Sequence, residues 1–246
     1  FTCGAPPCSF PVTLRVTDDS NPALTATVKQ NVEITNPPHP PVAKPGGPYM
    51  VSLCPGDSLI LNGSGSFDPN EGEHEAGCSA CPNDTITQWS WDLTQPLTHF
   101  TDESGKTVTV PNARLATYFT AKGIYTIGLK VSDNTALAYP GSGDPNLTDA
   151  DFADVTVFGG NLCTLSARPK LNKVQLTWKN TGAASYTIYR STTGPNTGFV
   201  KIVEGYVTSY PTYLDSGLTI GQSYWYRVAD SNGDGSIAVK VVPSTR

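Results

Sequence analysis

The sequence predicts an all-β chain folded as antiparallel sandwiches, and three observations carry that expectation. Apolar and polar residues alternate with period two in segments 12–17, 107–110, 125–131 and 173–178, which puts every second side chain on one face of a strand. These segments are rich in Val, Ile, Thr and aromatic residues, and Gly, Pro, Asn and Asp bound them. No window of about 11 residues carries an i, i+3, i+4, i+7 apolar stripe free of Gly and Pro, so no amphipathic helix is expected.

Read in order, the chain opens on an alternating segment at 10–19, a loop, and a second segment at 28–35. The same pattern returns at 125–134 and 154–158, with Leu14, Val16 and Asp18 falling on Leu129, Val131 and Asp133. An offset of 115 residues matches one sandwich domain plus a linker. The second loop is longer than the first and carries residues 139–145. Residues 36–41, Asn-Pro-Pro-His-Pro-Pro, read as an extended, semi-rigid linker. Gly159-Gly160-Asn161 is a shorter and more flexible junction. Three units follow: 1–35, 42–158 and 162–246. Two strands alone bury too little apolar surface to be stable in water. The first unit is therefore read as the last strands of a domain, completed by strands upstream or by strand addition from a neighbouring chain.

Composition narrows the function. The 246 residues carry 16 Lys and Arg against 21 Asp and Glu, a net charge of −5, with no basic cluster of the kind phosphate contacts need. Nucleic acid is excluded as a partner. No apolar run is long enough to span a bilayer. The first residues lack the charged and apolar regions of a signal peptide, so the chain reads as an internal piece of a longer protein.

The middle unit carries Pro41-Val42-Ala43-Lys44-Pro45-Gly46-Gly47-Pro48-Tyr49, then Asp57-Ser58-Leu59-Ile60-Leu61, Gly63-Ser64-Gly65-Ser66-Phe67-Asp68-Pro69-Asn70, Trp89-Ser90-Trp91-Asp92-Leu93 and Gly123-Ile124-Tyr125 onward to Asp133. In that order these motifs resemble a PKD (polycystic kidney disease) domain. The match departs at Thr94-Gln95-Pro96, where a Gly-Asp-Gly is usual, and at a Cys-bearing insertion at 71–84. Residues 1–35 resemble the end of another such domain. The third unit is similar to a fibronectin type III domain, through Val174-Gln175-Leu176-Thr177-Trp178, Tyr186-Thr187-Ile188-Tyr189-Arg190, Tyr213-Leu214-Asp215-Ser216-Gly217-Leu218 and Tyr224-Trp225-Tyr226-Arg227-Val228. The resemblance implies tandem immunoglobulin-like β-sandwiches, a buried Trp178, and a Tyr224 whose hydroxyl bonds back to the loop backbone. It also implies extracellular or cell-surface modules, used as spacers, adhesion units or appendages of secreted enzymes.

Six cysteines in such a chain suggest disulfides. Cys3 and Cys8 bracket a short loop, as do Cys78 and Cys81. In an immunoglobulin-like sandwich the first strand often runs beside the last, and on that topology Cys54 and Cys163 pair and tie the second unit to the third. Other pairings remain open. The stretch 68–75 concentrates acidic groups, and Asp68, Asn70, Glu71 and Glu73 offer the hard oxygen ligands that suit Ca²⁺; a solvated acidic loop is the competing reading. A zinc site from His74, Cys78 and Cys81 lacks a fourth ligand. Residues 230–235, Asp-Ser-Asn-Gly-Asp-Gly, match half of an EF-hand loop but place Val241 where its Glu belongs, so a hairpin turn is expected there. Asn62, Asn83 and Asn146 each open an Asn-x-Ser/Thr triplet. Trp89 and Trp91 fall on one strand face and are expected in the core.

No catalytic motif appears. The expected function is that of a non-catalytic extracellular segment, a spacer and protein-interaction module in a surface assembly, homopolymer or filament. Its partners are other protein chains or upstream domains of the same protein, ahead of polysaccharide. The competing expectation is the substrate-binding tail of a secreted hydrolase, gripping polysaccharide or protein fibres.

Overall fold

The computed structural model describes residues 8–34, 37–75 and 77–244. It is all-β, in three groups of strands. The first is an antiparallel hairpin of β1 (Cys8–Thr17) and β2 (Thr25–Ile34), with Leu14 opposite Val28. The second contains β3 (Tyr49–Ser52), β4 (Ser58–Asn62), β5 (Ile86–Asp92), β6 (Glu103–Ser104), β7 (Thr107–Pro111), α1 (Asn112–Tyr118), β8 (Gly123–Asp133), α2 (Thr135–Ala138) and β9 (Thr148–Phe158). The third contains β10 (Leu165–Lys170), β11 (Lys173–Trp178), β12 (Tyr186–Ser191), β13 (Val200–Tyr206), β14 (Thr212–Ser216), β15 (Tyr224–Asp230) and β16 (Val239–Val241). No helix among the described residues is long and apolar enough to cross a membrane.

In the middle group a sheet of order β3-β9-β8-β5-β6 faces the pair β4-β7. Alternation along β8 sends Ile127, Leu129 and Val131 inward against Leu59, Leu61 and Trp91, all fully buried. Trp91 satisfies its indole by donating to Gly105 O at 3.0 Å, as a buried indole must. Trp89 packs only partly against this core, with Lys106 Nζ 5.3 Å from its ring centroid. Strand β3 runs parallel to β9, so Ser52 lies beside Phe158 and residues 53–54 finish next to the exit of β9. The two helices, absent from the sequence reading, span seven and four residues. In α1 only Leu115 is buried. Such elements are too short to write a 3.6-residue period into the sequence.

The third group has strand orders β10-β11-β14 and β13-β12-β15-β16, the arrangement of a fibronectin type III-like sandwich. Trp178 is buried and meets Tyr186 edge-on, with ring centroids 5.4 Å apart. Tyr224 Oη accepts the Thr219 amide at 3.1 Å, closing the tyrosine corner.

The internal repeat extends to side-chain hydrogen bonds. Asp133 Oδ1 accepts the amides of Thr135 at 3.0 Å and Leu147 at 2.7 Å. Asp18 Oδ1 accepts those of Ser20 at 3.2 Å and Leu24 at 2.8 Å. Each aspartate latches the return loop of its hairpin. The two hairpins differ in burial. The face of β8 that corresponds to Val12, Leu14 and Val16 is covered, whereas those three residues are 52, 60 and 58 % exposed.

Candidate functional site

Two polar constellations stand out: a cluster of carboxylates at one pole of the middle sandwich, and a lock between the middle and third groups. Asp68 follows β4 in a loop, Asp84 closes the insertion before β5, and Asp133 is the last residue of β8. All three are buried, and one oxygen from each lies within 4.8 Å of the others. Two oxygens each about 2.4 Å from one Ca²⁺ can be no further apart than roughly that distance. Asp68 spends Oδ1 on the Asn70 amide at 2.8 Å, and Asp133 spends Oδ1 on its loop latch. Asp68 Oδ2, Asp133 Oδ2 and both oxygens of Asp84 have no partner in good hydrogen-bond geometry, and the backbone amides of Thr85 and Asn134 near Asp84 offset its burial only in part.

Four unpartnered buried carboxylate oxygens facing one another are unfavourable without a counter-charge. The electrostatics record this. Burial, then the charges of Asp68 and Asp133, pushes the Asp84 carboxyl up to about 7. Burial also raises Asp68, with Asp133, Glu71 and Glu73 adding to it. The Tyr139 phenol beside them is raised to about 12, first by burial and then by Glu73, Asp84 and Asp68. The donor set is all hard oxygen, which fits Ca²⁺ and not zinc. Cys78 and Cys81 form a disulfide within the insertion, so neither is available as a thiolate ligand for the zinc reading.

Of the four residues singled out from sequence, Asp68 is in this cluster. Asn70 is buried beside it, but its carboxamide oxygen accepts the His39 amide at 2.7 Å and its Nδ2 donates to Glu73 Oε2 at 2.9 Å. Glu71 and Glu73 lie on the exposed side of the loop, where Glu71 accepts from Thr85 Oγ1 at 3.4 Å. They contribute negative charge, and Asp84 and Asp133 supply the missing buried oxygens. Sequence inspection had both in view without their role, Asp133 as a repeat position and Asp84 inside an Asn-x-Thr triplet.

The lock is built from residues distant in sequence. Cys54 and Cys163 are disulfide-bonded across a separation of 109 residues. Beside them Arg227, on β15, is fully buried and satisfies all five of its N–H groups. Nη1 donates to Asp57 Oδ2 at 2.7 Å and Ser236 O at 2.9 Å, and Nη2 to Asp57 Oδ1 at 3.2 Å and Pro195 O at 3.1 Å. Nε donates to Pro195 O at 3.3 Å. Asp57 also accepts the amide and hydroxyl of Ser52 at 2.8 and 2.7 Å. A bidentate, fully hydrogen-bonded pair is the form in which a buried charge is tolerated.

Asn196 extends the lock. It projects from the loop between β12 and β13 and bonds to β3 and β4, the edge strands of two different sheets. Met50 N donates to its backbone oxygen at 2.7 Å and Ile60 N to its Oδ1 at 3.0 Å, while Nδ2 donates to Met50 O and Ser58 O, both at 2.9 Å. One residue thus covers two open strand edges. At the far side Gly159 exchanges backbone bonds with Gly233 and Gly235, each 3.0 Å long. Gly235 is required there, because a Cβ would sit 2.6 Å from Phe158 Cβ.

The EF-hand-like stretch is indeed part of a turn. Asp230 accepts the amides of Asn232 and Asp234, and Asp234 bonds to Asn161 and pairs with Lys122 at 3.4 Å. Its acidic groups already hold an ammonium and amides. The Cys3–Cys8 pairing involves Cys3, which lies outside the described residues.

No family model matches the sequence, and no curated protein matches it. Two solved structures show a weak overall likeness. The FN1–FN3 domains of chicken CNTN1 align at 10 % identity with a TM-score of 0.25, covering 95 % of this chain and 76 % of that one. The fibronectin(III)-like modules of Clostridium thermocellum CbhA align at 12 % identity with a TM-score of 0.27, covering 83 % and 96 %. The fold assignment rests on the strand orders described above.

Proposed function

We propose that this chain is a non-catalytic segment of an extracellular or cell-surface protein, a stiff spacer and protein-interaction module stabilised by Ca²⁺. The observation that carries the reading is the buried Arg227–Asp57 pair, flanked by a disulfide and by Asn196 across two sheet edges. A junction of three glycine-rich residues would otherwise be a free hinge. Here a disulfide, a buried ion pair with all of its Arg N–H groups satisfied, and the four Asn196 hydrogen bonds cross it, so the two sandwiches transmit force and orientation as one body. The carboxylate cluster adds a second staple at the opposite end, joining the insertion, β8 and the loop after β4 once a divalent cation neutralises it. Its partners, on this reading, are other protein chains in an extracellular assembly.

Residual dipolar couplings on the full chain test the central point. A rigid unit gives one alignment tensor for the strands of both sandwiches, in the presence or absence of calcium. Distinct tensors for residues 49–158 and 165–241 would refute a stiff spacer. Calorimetric titration with CaCl₂ tests the metal separately.

A further inference from the structure

The outer face of the sheet formed by β5, β8 and β9 carries a groove that neither the carboxylate cluster nor the interdomain lock uses. Strand register builds its floor. Gln88, Ser132 and Thr148 form one cross-strand row, and Ser90, Lys130 and Ala150 the next. The alternation that sends Leu129 and Val131 into the core sends Lys130 and Ser132 out. In the third row Gly128 lies between Asp92 and Phe152. A Cβ on Gly128 would fall 2.9 Å from Phe100 Cε1 and 3.2 Å from Phe152 Cε1. The missing side chain therefore lets Phe100, which lines the groove at the end of a hydroxyl and amide floor, pack close to Phe152, which stands just beyond the lining. Phe152 remains half exposed.

Phe100 is held in place at some conformational cost. Its φ is +47°, a region that bulky residues rarely enter and that clusters at binding sites. Buried Asp92 fixes it by accepting the amides of His99 at 2.8 Å and Phe100 at 3.2 Å. Charge selects the ligand. Of the residues lining the groove only Lys130 is a full charge, and none is acidic, although the chain as a whole is at −5. Among the described residues Lys130 makes no ion pair with any carboxylate.

We propose that this groove binds a carboxylate-bearing saccharide, a uronic-acid oligosaccharide. The C–H face of a sugar ring stacks on Phe100 and Phe152, its hydroxyls exchange hydrogen bonds with Gln88, Ser90 and Ser132, and its carboxylate meets Lys130. A few directed polar groups beside an apolar wall is the pattern of small-ligand sites, and the ammonium–carboxylate contact is the strong one.

The test is titration of the full chain with short oligogalacturonates, followed by amide shifts in NMR and by calorimetry. Chelator is present throughout, so that calcium bridging to the carboxylate cluster plays no part. Shifts should centre on residues 88–90, 99–101 and 130–132. Lys130→Gln should weaken binding roughly ten-fold or more, and neutral cello-oligosaccharides should bind weaker by a similar factor. Phe100→Leu should weaken both classes, and Lys240→Gln, on the third group, should change nothing. Equal affinity for neutral and acidic sugars, an unchanged affinity in Lys130→Gln, shifts centred elsewhere, or no binding at millimolar ligand would each overturn the proposal.

Discussion

Replacing Asp57 by Ala strands the Arg227 guanidinium at the interface between the sandwiches. Arg227 is fully buried, and the substitution removes its two charged acceptors at 2.7 and 3.2 Å, leaving only the carbonyls of Ser236 and Pro195. Removing one partner of a buried pair costs about 3–5 kcal/mol. The Ser52 amide and hydroxyl lose their acceptor as well, which moves the cost toward the upper end. For a chain of this size that is a fall in melting temperature of roughly 10 °C. The assay is urea denaturation followed by Trp fluorescence with disulfides intact, read by linear extrapolation. The double variant Asp57→Leu with Arg227→Leu separates charge from packing. It should lose less than Asp57→Ala alone, because no charge is left unpaired. A single variant within about 0.5 kcal/mol of the parent would mean that water reaches the guanidinium and that the pair does not lock the interface.

Saturating Ca²⁺ should raise the melting temperature, by an amount equivalent to about 2.7 kcal/mol at a hundred-fold excess over Kd, and Asp84→Asn should abolish that response in the same scan. In chelator, Asp84→Asn should be as stable as the parent or more so, since it removes a charge from three facing carboxylates; a less stable variant would show that Asp84 has a partner. The pH dependence follows from the same group. Asp84 titrates near its ordinary 3.8 when unfolded and at about 7 when folded, so between these values the folded state holds a proton that the unfolded state has lost. The metal-free fold is therefore expected to lose stability as pH rises from about 4 to about 7, while calcium affinity rises over the same window and levels off above it, both measurable by calorimetry. Gly235→Ala forces a Cβ to within 2.6 Å of Phe158 Cβ and should cost about 1–3 kcal/mol, visible as faster amide exchange at Gly159 and Gly233.

The strands were legible in the sequence because period-two alternation is a local property. β8 shows its inward Ile127, Leu129 and Val131 directly, and β11 shows Val174 and Leu176. The hairpin repeat was legible for the same reason, down to the aligned Asp18 and Asp133. The carboxylate cluster was only partly so. Asp68 stood in a visibly acidic stretch, but its ligand partners come from two other loops, one inside an insertion and one at a strand end. Glu71 and Glu73, close by in sequence and acidic, are not among the three clustered carboxylates: both residues are exposed, and Glu73 turns its carboxylate onto the Asn70 side chain. Sequence density of charge reports what is near along the chain, and a buried site needs what is near in space.

By itself the sequence determined the class of structure, the place of most strands, and the absence of recognisable catalytic motifs. Tertiary structure alone decided which polar residues share a site. Arg227 reads as one more position in an alternating strand, and Asp57 as the first residue of a family motif with no partner indicated, yet they meet 170 residues apart in a fully buried pair. Asn196 gives no local signal either, because its role is set by two strand edges that belong to another sandwich. Backbone pattern is written residue by residue, whereas a buried charge finds its partner only once two sandwiches have docked and water has left the space between them.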